Sequence, residues 1–195
     1  MTTARDLLFV SLDVRSVRPV ERGDLSLALA GAELADLLGA EAVTLDDDRI
    51  VPGLAPATGD RLLDEAAAAV VRQPPYESVE DWLWRRGDGL AAAYAAALEA
   101  EERAGRPRRT WRRGAPADSP ARHDAAARWA SREPVLAGLA AALGIPEETA
   151  AEPTDLTDDT ETVLAAVGGA LNELEALRQR RRIEDAAYDN VWRGP

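Results

Sequence analysis

The sequence predicts a mainly α-helical fold: a single compact helical domain over residues 1–195 with one or two short β-hairpins. Hydrophobic residues make up 46% of the chain but aromatic residues only 5%, so the core must consist mainly of leucine, valine and alanine. Alanine favours helix and lets helices approach closely. Apolar residues also recur at helical spacing in segments 24–38, 60–70 and 160–177. No linker is long enough to indicate a second domain.

The first quarter of the chain is expected to hold two helices and a hairpin. Residues 6–12 are a short apolar run predicted as helix, and residues 16–23 form a connector. The segment 24–38 is apolar on nearly all sides, which predicts a buried helix. Residues 43–51 then fit two short strands joined by an acidic turn at Asp46–Asp48.

Three helices are expected next. Asp60 can cap the first of them, and Pro74–Pro75 is expected to stop it. Ser78 can cap the second helix, in which Trp82 faces inward. The third helix, over residues 90–103, is largely alanine.

The second half of the chain is predicted to alternate helices with irregular segments. Residues 105–120 are rich in glycine and proline and indicate a loop or a stunted hairpin, and helices resume over 122–143. Residues 147–159 are acidic and interrupted by proline, as is typical of a surface connector. The last helix covers 160–188, where Gly168–Gly169 either weakens the helix or lets another helix come close.

The charge distribution is uneven. The net charge of −12 argues against a general binder of nucleic acids or of anionic membranes, because such proteins normally carry a basic face. Residues 103–113 nevertheless hold six arginines and no acid, whereas residues 133–175 hold ten acids and no base. The positive charge is therefore local.

Composition also limits the location and the chemistry. The chain has no cysteine, which excludes disulfides and thiolate metal sites. No stretch approaches the roughly 20 apolar residues that cross a bilayer, so no transmembrane segment is predicted. Residues 1–12 lack the basic start and cleavage site of a signal peptide. The expected location is cytoplasmic, with a possible peripheral position at the inner face of the membrane.

One stretch carries a family resemblance. Residues 57–66 read Ala-Thr-Gly-Asp-Arg-Leu-Leu-Asp-Glu-Ala, followed by Gln73-Pro74-Pro75 and by Val79-Glu80-Asp81-Trp82-Leu83. This resembles the signature of the Golgi phosphoprotein 3 family, and the chain is similar to a bacterial, actinobacterial-like member. The small-residue helix around Gly31 and the arginine run Arg180–Arg182 support the resemblance.

The resemblance implies a non-enzymatic peripheral adaptor that binds phosphatidylinositol 4-phosphate through a tryptophan and several arginines. These binding residues are not matched here. No tryptophan stands in residues 16–23, Ala30 occupies the place of the first arginine before Gly31, and residues 90–98 contain no arginine. A soluble helical module that binds another protein and has lost lipid binding is therefore the alternative.

A substitute lipid-binding surface is present in the sequence. Arg108, Arg109, Trp111, Arg112 and Arg113 form a basic segment that contains a tryptophan. Such a segment can bind the headgroup of an anionic phospholipid or a phosphoinositide. The other interpretation is a solvated loop whose arginines pair with the acidic stretch of the same chain.

The remaining polar residues indicate no catalysis, no metal site and no cofactor. Asp64 and Glu65 are neighbours on a helix and point about 100° apart, so they do not converge as an acid and a base. His123 is the only histidine and is expected on the surface near a helix start. The acidic groups at Asp46–Asp48 and at residues 155–161 lack the ligand spacing of a calcium loop.

Overall fold

The computed structural model describes residues 2–14, 16, 18–54, 57–105, 119–146 and 156–192. This part of the chain forms eight helices and one two-stranded antiparallel sheet. In chain order the elements are α1 (Thr3–Asp13), α2 (Arg22–Gly39), β1 (Val43–Asp46), β2 (Arg49–Pro52), α3 (Arg61–Ala69), α4 (Val79–Gly87), α5 (Leu90–Gly105), α6 (Pro120–Ala130), α7 (Pro134–Ala142) and α8 (Asp158–Trp192). The predicted mainly α-helical fold with a short β-hairpin is confirmed.

Helix α2 lies at the centre of the fold. All residues from Ser26 to Leu34 are buried, and the helix contacts α1, α3, α4, α5, α7 and α8. A helix that is apolar on all sides has no face for water, so it is stable only when other elements surround it. The predicted burial is confirmed, and Glu33 is the one charged residue within this run.

Helices α2 and α8 approach each other at Gly31. A methyl group added to Gly31 would lie 2.4 Å from Cγ2 of Val167. Val167 shares the buried stripe of α8 with Val163 and Ala170. Glycine is needed at this position because any side chain would push the helices apart. At Gly168–Gly169, by contrast, no described atom lies within 4 Å of an added methyl group, so the predicted close approach of another helix is wrong there.

The predicted hairpin is confirmed. Its strands are joined by a turn at Asp47–Asp48, where Asp47 adopts the left-handed conformation (φ 54°) that aspartate tolerates. The backbone N–H of Ile50 donates to the Glu77 carbonyl oxygen at 2.9 Å. The hairpin is thereby attached to the residues that precede α4.

Helix α3 begins as predicted but ends early. The Asp60 carboxylate accepts hydrogen bonds from two backbone N–H groups of the first turn, at 2.9 and 3.2 Å. The helix ends at Ala69, five residues before Pro74–Pro75, so the prolines do not stop it. Val70 adopts an extended conformation, and the Ala69 carbonyl oxygen accepts from Arg85 at 3.2 Å. A side chain from α4 therefore satisfies a carbonyl at the end of α3.

Helices α4 and α5 follow the predicted order. Ser78 caps α4 by accepting from the backbone N–H of Asp81 at 3.0 Å. Trp82 is fully buried, as predicted, and its Nε1–H donates to the Ala30 carbonyl oxygen at 3.1 Å. Because the bond joins α4 to α2, Trp82 fixes the contact between these two helices.

Two helices, α6 and α7, occupy the segment 122–143 where helices were predicted. Arg132 is left-handed (φ 56°) and Pro134 begins α7, so the chain turns between α6 and α7. Helix α8 extends to Trp192, ten residues beyond the arginine run Arg178–Arg182. The run therefore lies well before the end of the helix. Arg178 donates to the Asp24 carboxylate at the start of α2, at 2.7 Å.

Candidate functional site

The arginine-rich segment connects α5 to α6. The predicted lipid-binding residues Arg108, Arg109, Trp111, Arg112 and Arg113 lie outside the residues that the structure describes. The same holds for residues 147–155 of the acidic connector. The structure does place both ends of the arginine-rich segment, at Gly105 and Ser119.

The two ends of the segment differ in how they are held. In the last turns of α5, Arg103 pairs with Glu99 at 2.6 Å, and both side chains are exposed. Ser119 caps α6 by accepting from the backbone N–H of Arg122. The Arg122 Nε–H donates to the Asp13 carboxylate at 2.6 Å. The start of α6 is thus held at the end of α1. In the last turns of α5, Glu101 pairs with Arg5 of α1, while Arg103 faces solvent.

Many arginines in the described part of the chain are paired with carboxylates. Pairs within 4.0 Å are formed by Arg5, Arg49, Arg61, Arg85, Arg86, Arg103, Arg122, Arg128, Arg178 and Arg182. Exposed pairs of this kind contribute little to stability, but they cancel local positive charge. The sequence offers no such carboxylate within residues 103–113.

The positions where the resemblance places the family's arginines carry no cationic side chain. Ala30 is fully buried beneath Trp82. On α5, Leu90, Ala91 and Tyr94 face the core, and the exposed positions of the first two turns are alanine. No cationic side chain from residues 90–98 can therefore reach an anion at this surface.

A buried ionic cluster, the Glu33 cluster, joins α2, α4 and α5. The Glu33 carboxylate accepts two hydrogen bonds from the Arg86 guanidinium, at 2.7 and 2.9 Å, and one from the Tyr94 hydroxyl at 3.1 Å. Arg86 also donates to the Leu62 carbonyl oxygen at 3.1 Å. The Glu33 side chain is 0% exposed, so its charge depends entirely on these partners.

Burial governs the protonation of the Glu33 cluster. It raises the pKa of Glu33, against the opposing hydrogen bonds and charge of Arg86. Burial also raises the pKa of the Tyr94 phenol, and the Glu33 charge adds to this effect. Tyr94 therefore stays protonated and acts as a donor. The sequence prediction missed this cluster, although an acid within an apolar helix was a usable signal.

A cleft of about 560 Å³ lies between the starts of α2 and α5 and the end of α4. Leu27, Leu174 and the half-buried Trp84 form its apolar walls. Arg22 lines its edge, and no carboxylate in the described part of the chain pairs with it. The backbone N–H of Ala91 donates to Ser26 Oγ at 3.0 Å, so the first turn of α5 is partly satisfied from α2. The cleft suits an apolar group better than a multiply charged one.

The acids considered as catalytic candidates have structural partners. Asp64 accepts hydrogen bonds from the Thr58 backbone N–H and hydroxyl, each at 2.8 Å, and these bonds lower the pKa of Asp64. Glu65 pairs with Arg61 one turn away. His123 is exposed on the first turns of α6, as expected. Within the described ranges, no group of three or more histidine or acidic side chains could hold a metal ion.

The tryptophan side chains and the long helices bear on contact with a membrane. Trp82 is buried, and Trp84 and Trp129 are half-buried against the core. The side chain of Trp192 lies outside the described residues. Among the helices that the structure describes, none is long and apolar enough to cross a membrane.

Comparison with known proteins gives one result. A family model described as Golgi phosphoprotein 3 (GPP34) matches residues 4–191, nearly the whole chain. No curated protein and no solved structure matches it. The matched range includes the Gly31 crossing, the Asp60 cap and the Trp82 contact, which are the packing features that the resemblance rested on. The chain belongs to the Golgi phosphoprotein 3 family.

Proposed function

We propose that this chain is a single-domain, non-enzymatic, cytoplasmic protein that binds anionic phospholipid headgroups at the membrane surface through residues 103–113. The observation that carries the proposal is the density of charge in this segment, six arginines and no acid, in a chain of net charge −12. A guanidinium group can donate two parallel hydrogen bonds to the oxygens of one phosphate. Trp111 adds a tryptophan side chain, a type that is enriched at the level of the lipid headgroups in membrane proteins.

The strength of this attraction can be approximated from the number of arginines. Each arginine near an anionic leaflet contributes on the order of 1 kcal/mol. Arg103 is paired with Glu99, which leaves the five arginines from Arg106 to Arg113 as the main contributors. Membership of the family supports a lipid or protein partner. Because position 30 and residues 90–98 supply none of the family's arginines, the attraction is expected to follow the charge of the lipid and not the identity of its headgroup.

Co-sedimentation with vesicles tests this proposal. The variant Arg108→Ala, Arg109→Ala, Arg112→Ala, Arg113→Ala removes four charges and should weaken binding to phosphatidylglycerol vesicles about a thousandfold. Vesicles with phosphatidylinositol 4-phosphate in place of phosphatidylglycerol, at equal surface charge, should bind equally and with the same salt dependence.

A control variant removes the same charge elsewhere: Arg18→Ala, Arg72→Ala, Arg132→Ala, Arg180→Ala. All four side chains are exposed, and no carboxylate in the described part of the chain pairs with them. This variant should keep most of the binding. Equal losses in both variants would show that residues 103–113 are not a site.

The second candidate function is a helical module that binds a protein. The apolar cleft lined by Leu27, Trp84 and Leu174 favours it, because such walls accept a hydrophobic side chain. A stoichiometric protein partner recovered by wild type but lost in Trp84→Ala, together with no binding to anionic vesicles, would select this function.

A further inference from the structure

Helix α8 continues beyond the fold that it helps to build. Its first half packs on the core through Val163, Val167 and Ala170, and Leu174 is half-buried. From Gln179 to Tyr188 every residue whose side chain is described is exposed. At 1.5 Å per residue, the part from Gln179 to the helix end extends about 20 Å.

The stripe that packs on the core continues into this extension. Eleven residues make just over three helical turns, so Val163 and Leu174 share one face, and so do Leu177 and Tyr188. Arg181 and Asp185 lie on that face between them. Leu177 is 38% exposed and Tyr188 64% exposed. A face that is buried in the first half of α8 is therefore open to solvent in the second.

The charges on this face change sign along the helix. Arg181 lies nearer the fold and Asp185 nearer the end, and neither forms an ion pair within the described part of the chain. In a parallel pair of such helices, like charges would face each other. In an antiparallel pair centred on residue 183, each Arg181 faces Asp185 of the other copy. The same register sets Tyr188 beside Leu177 and Arg178 of the other copy.

We infer that two copies of this chain associate through the second halves of α8, antiparallel and related by a two-fold axis at residue 183. In a two-fold contact the same surface of each copy must be complementary to itself. Arg181 and Asp185 meet this condition because each faces the opposite charge of the other copy. The contact is short, about 28 Å from Leu174 to the helix end, so the dimer forms reversibly and depends on concentration.

A charge exchange tests the register. Wild type should show a monomer–dimer equilibrium in sedimentation velocity. Arg181→Asp alone, or Asp185→Arg alone, sets like charges against each other at both contacts and should raise the dissociation constant at least about tenfold. The double variant with both substitutions should restore association.

Arg181 and Asp185 are also one turn apart on the same helix, so exchanging them can change the stability of α8 itself. A control must separate that effect from a change in association. Gln179→Asp, Ile183→Arg and their combination place the same two charges four residues apart on the opposite face of the helix, where both side chains are exposed. These variants should leave the dissociation constant unchanged, and circular dichroism should show equal helix content throughout. The inference is overturned by a wild type that stays monomeric, by single exchanges without effect, or by equal effects from the control positions. It is also overturned if α8 associates only with another protein or with vesicles.

Discussion

Replacing Gly31 with alanine places a methyl group where α2 meets α8. The added carbon would lie 2.4 Å from Cγ2 of Val167, and side chains of Leu83 and Leu139 lie 3.7 Å away. Carbon atoms that are not bonded pack at about 3.5–4.0 Å, so either Val167 or the helix must move by about 1 Å.

Two opposing effects set the size of the change. Overpacking a tight core costs about 1–3 kcal/mol, and the contact at Gly31 is close enough for the upper end. Alanine favours helix more than glycine does, which adds about 1 kcal/mol to the free energy of unfolding. We expect a net loss of about 2 kcal/mol in the free energy of unfolding, which lowers the Tm of a chain of this size by about 4–8 °C.

Chemical denaturation of Gly31→Ala, Val167→Ala and the double variant measures this contact. Val167→Ala alone removes two buried methyl groups and should cost about 2 kcal/mol. In the double variant the shortened side chain leaves room for the new methyl group, so its loss should be clearly smaller than the two single losses combined. A Gly31→Ala variant that is more stable than wild type would refute the close approach of the two helices.

Three further predictions concern stability. Gly168→Ala, at a position with no described atom near the added methyl group, should raise the free energy of unfolding by about 0.5–1 kcal/mol in the same assay; a loss would contradict the open space there. Arg86→Ala leaves the buried Glu33 charge without its main partner and should cost about 3–5 kcal/mol, measured by urea unfolding; a loss under 1 kcal/mol would contradict a buried pair. Burial raises the pKa of Asp36, so the folded protein holds the Asp36 proton more tightly than the unfolded chain does. The contribution of this proton to the free energy of unfolding is fully present below the ordinary pKa of aspartate and is lost as pH rises through the raised pKa. In Asp36→Asn, the free energy of unfolding should therefore decrease less steeply with pH above about pH 4 than in wild type. An equal slope in both proteins would contradict a raised pKa at Asp36.

Local features were predictable because their causes lie within a few residues. The Asp60 cap satisfies backbone N–H groups two and three residues ahead, and the Asp47–Asp48 turn joins adjacent strands. Burial of α2 follows from its uniformly apolar faces. These features needed no knowledge of what packs against them.

Contacts between distant parts of the chain were not predictable in the same way. Glu33 and Arg86 are 53 residues apart, and no spacing rule pairs them. Gly31, and not Gly168–Gly169, marks a close approach of two helices, because the partner helix decides which face is crowded. The Ala69 carbonyl oxygen at the end of α3 likewise accepts from a side chain of α4 that lies 16 residues further along the chain.

The central functional claim is that a strongly acidic protein binds anionic membranes through one local arginine-rich segment. Co-sedimentation of the unmodified chain with phosphatidylglycerol vesicles and with neutral phosphatidylcholine vesicles, both at low salt, tests it most directly. We predict binding to the phosphatidylglycerol vesicles that weakens steeply as salt is added, and none to the neutral vesicles. If the protein stays in the supernatant with the anionic vesicles at low salt, the claim is contradicted.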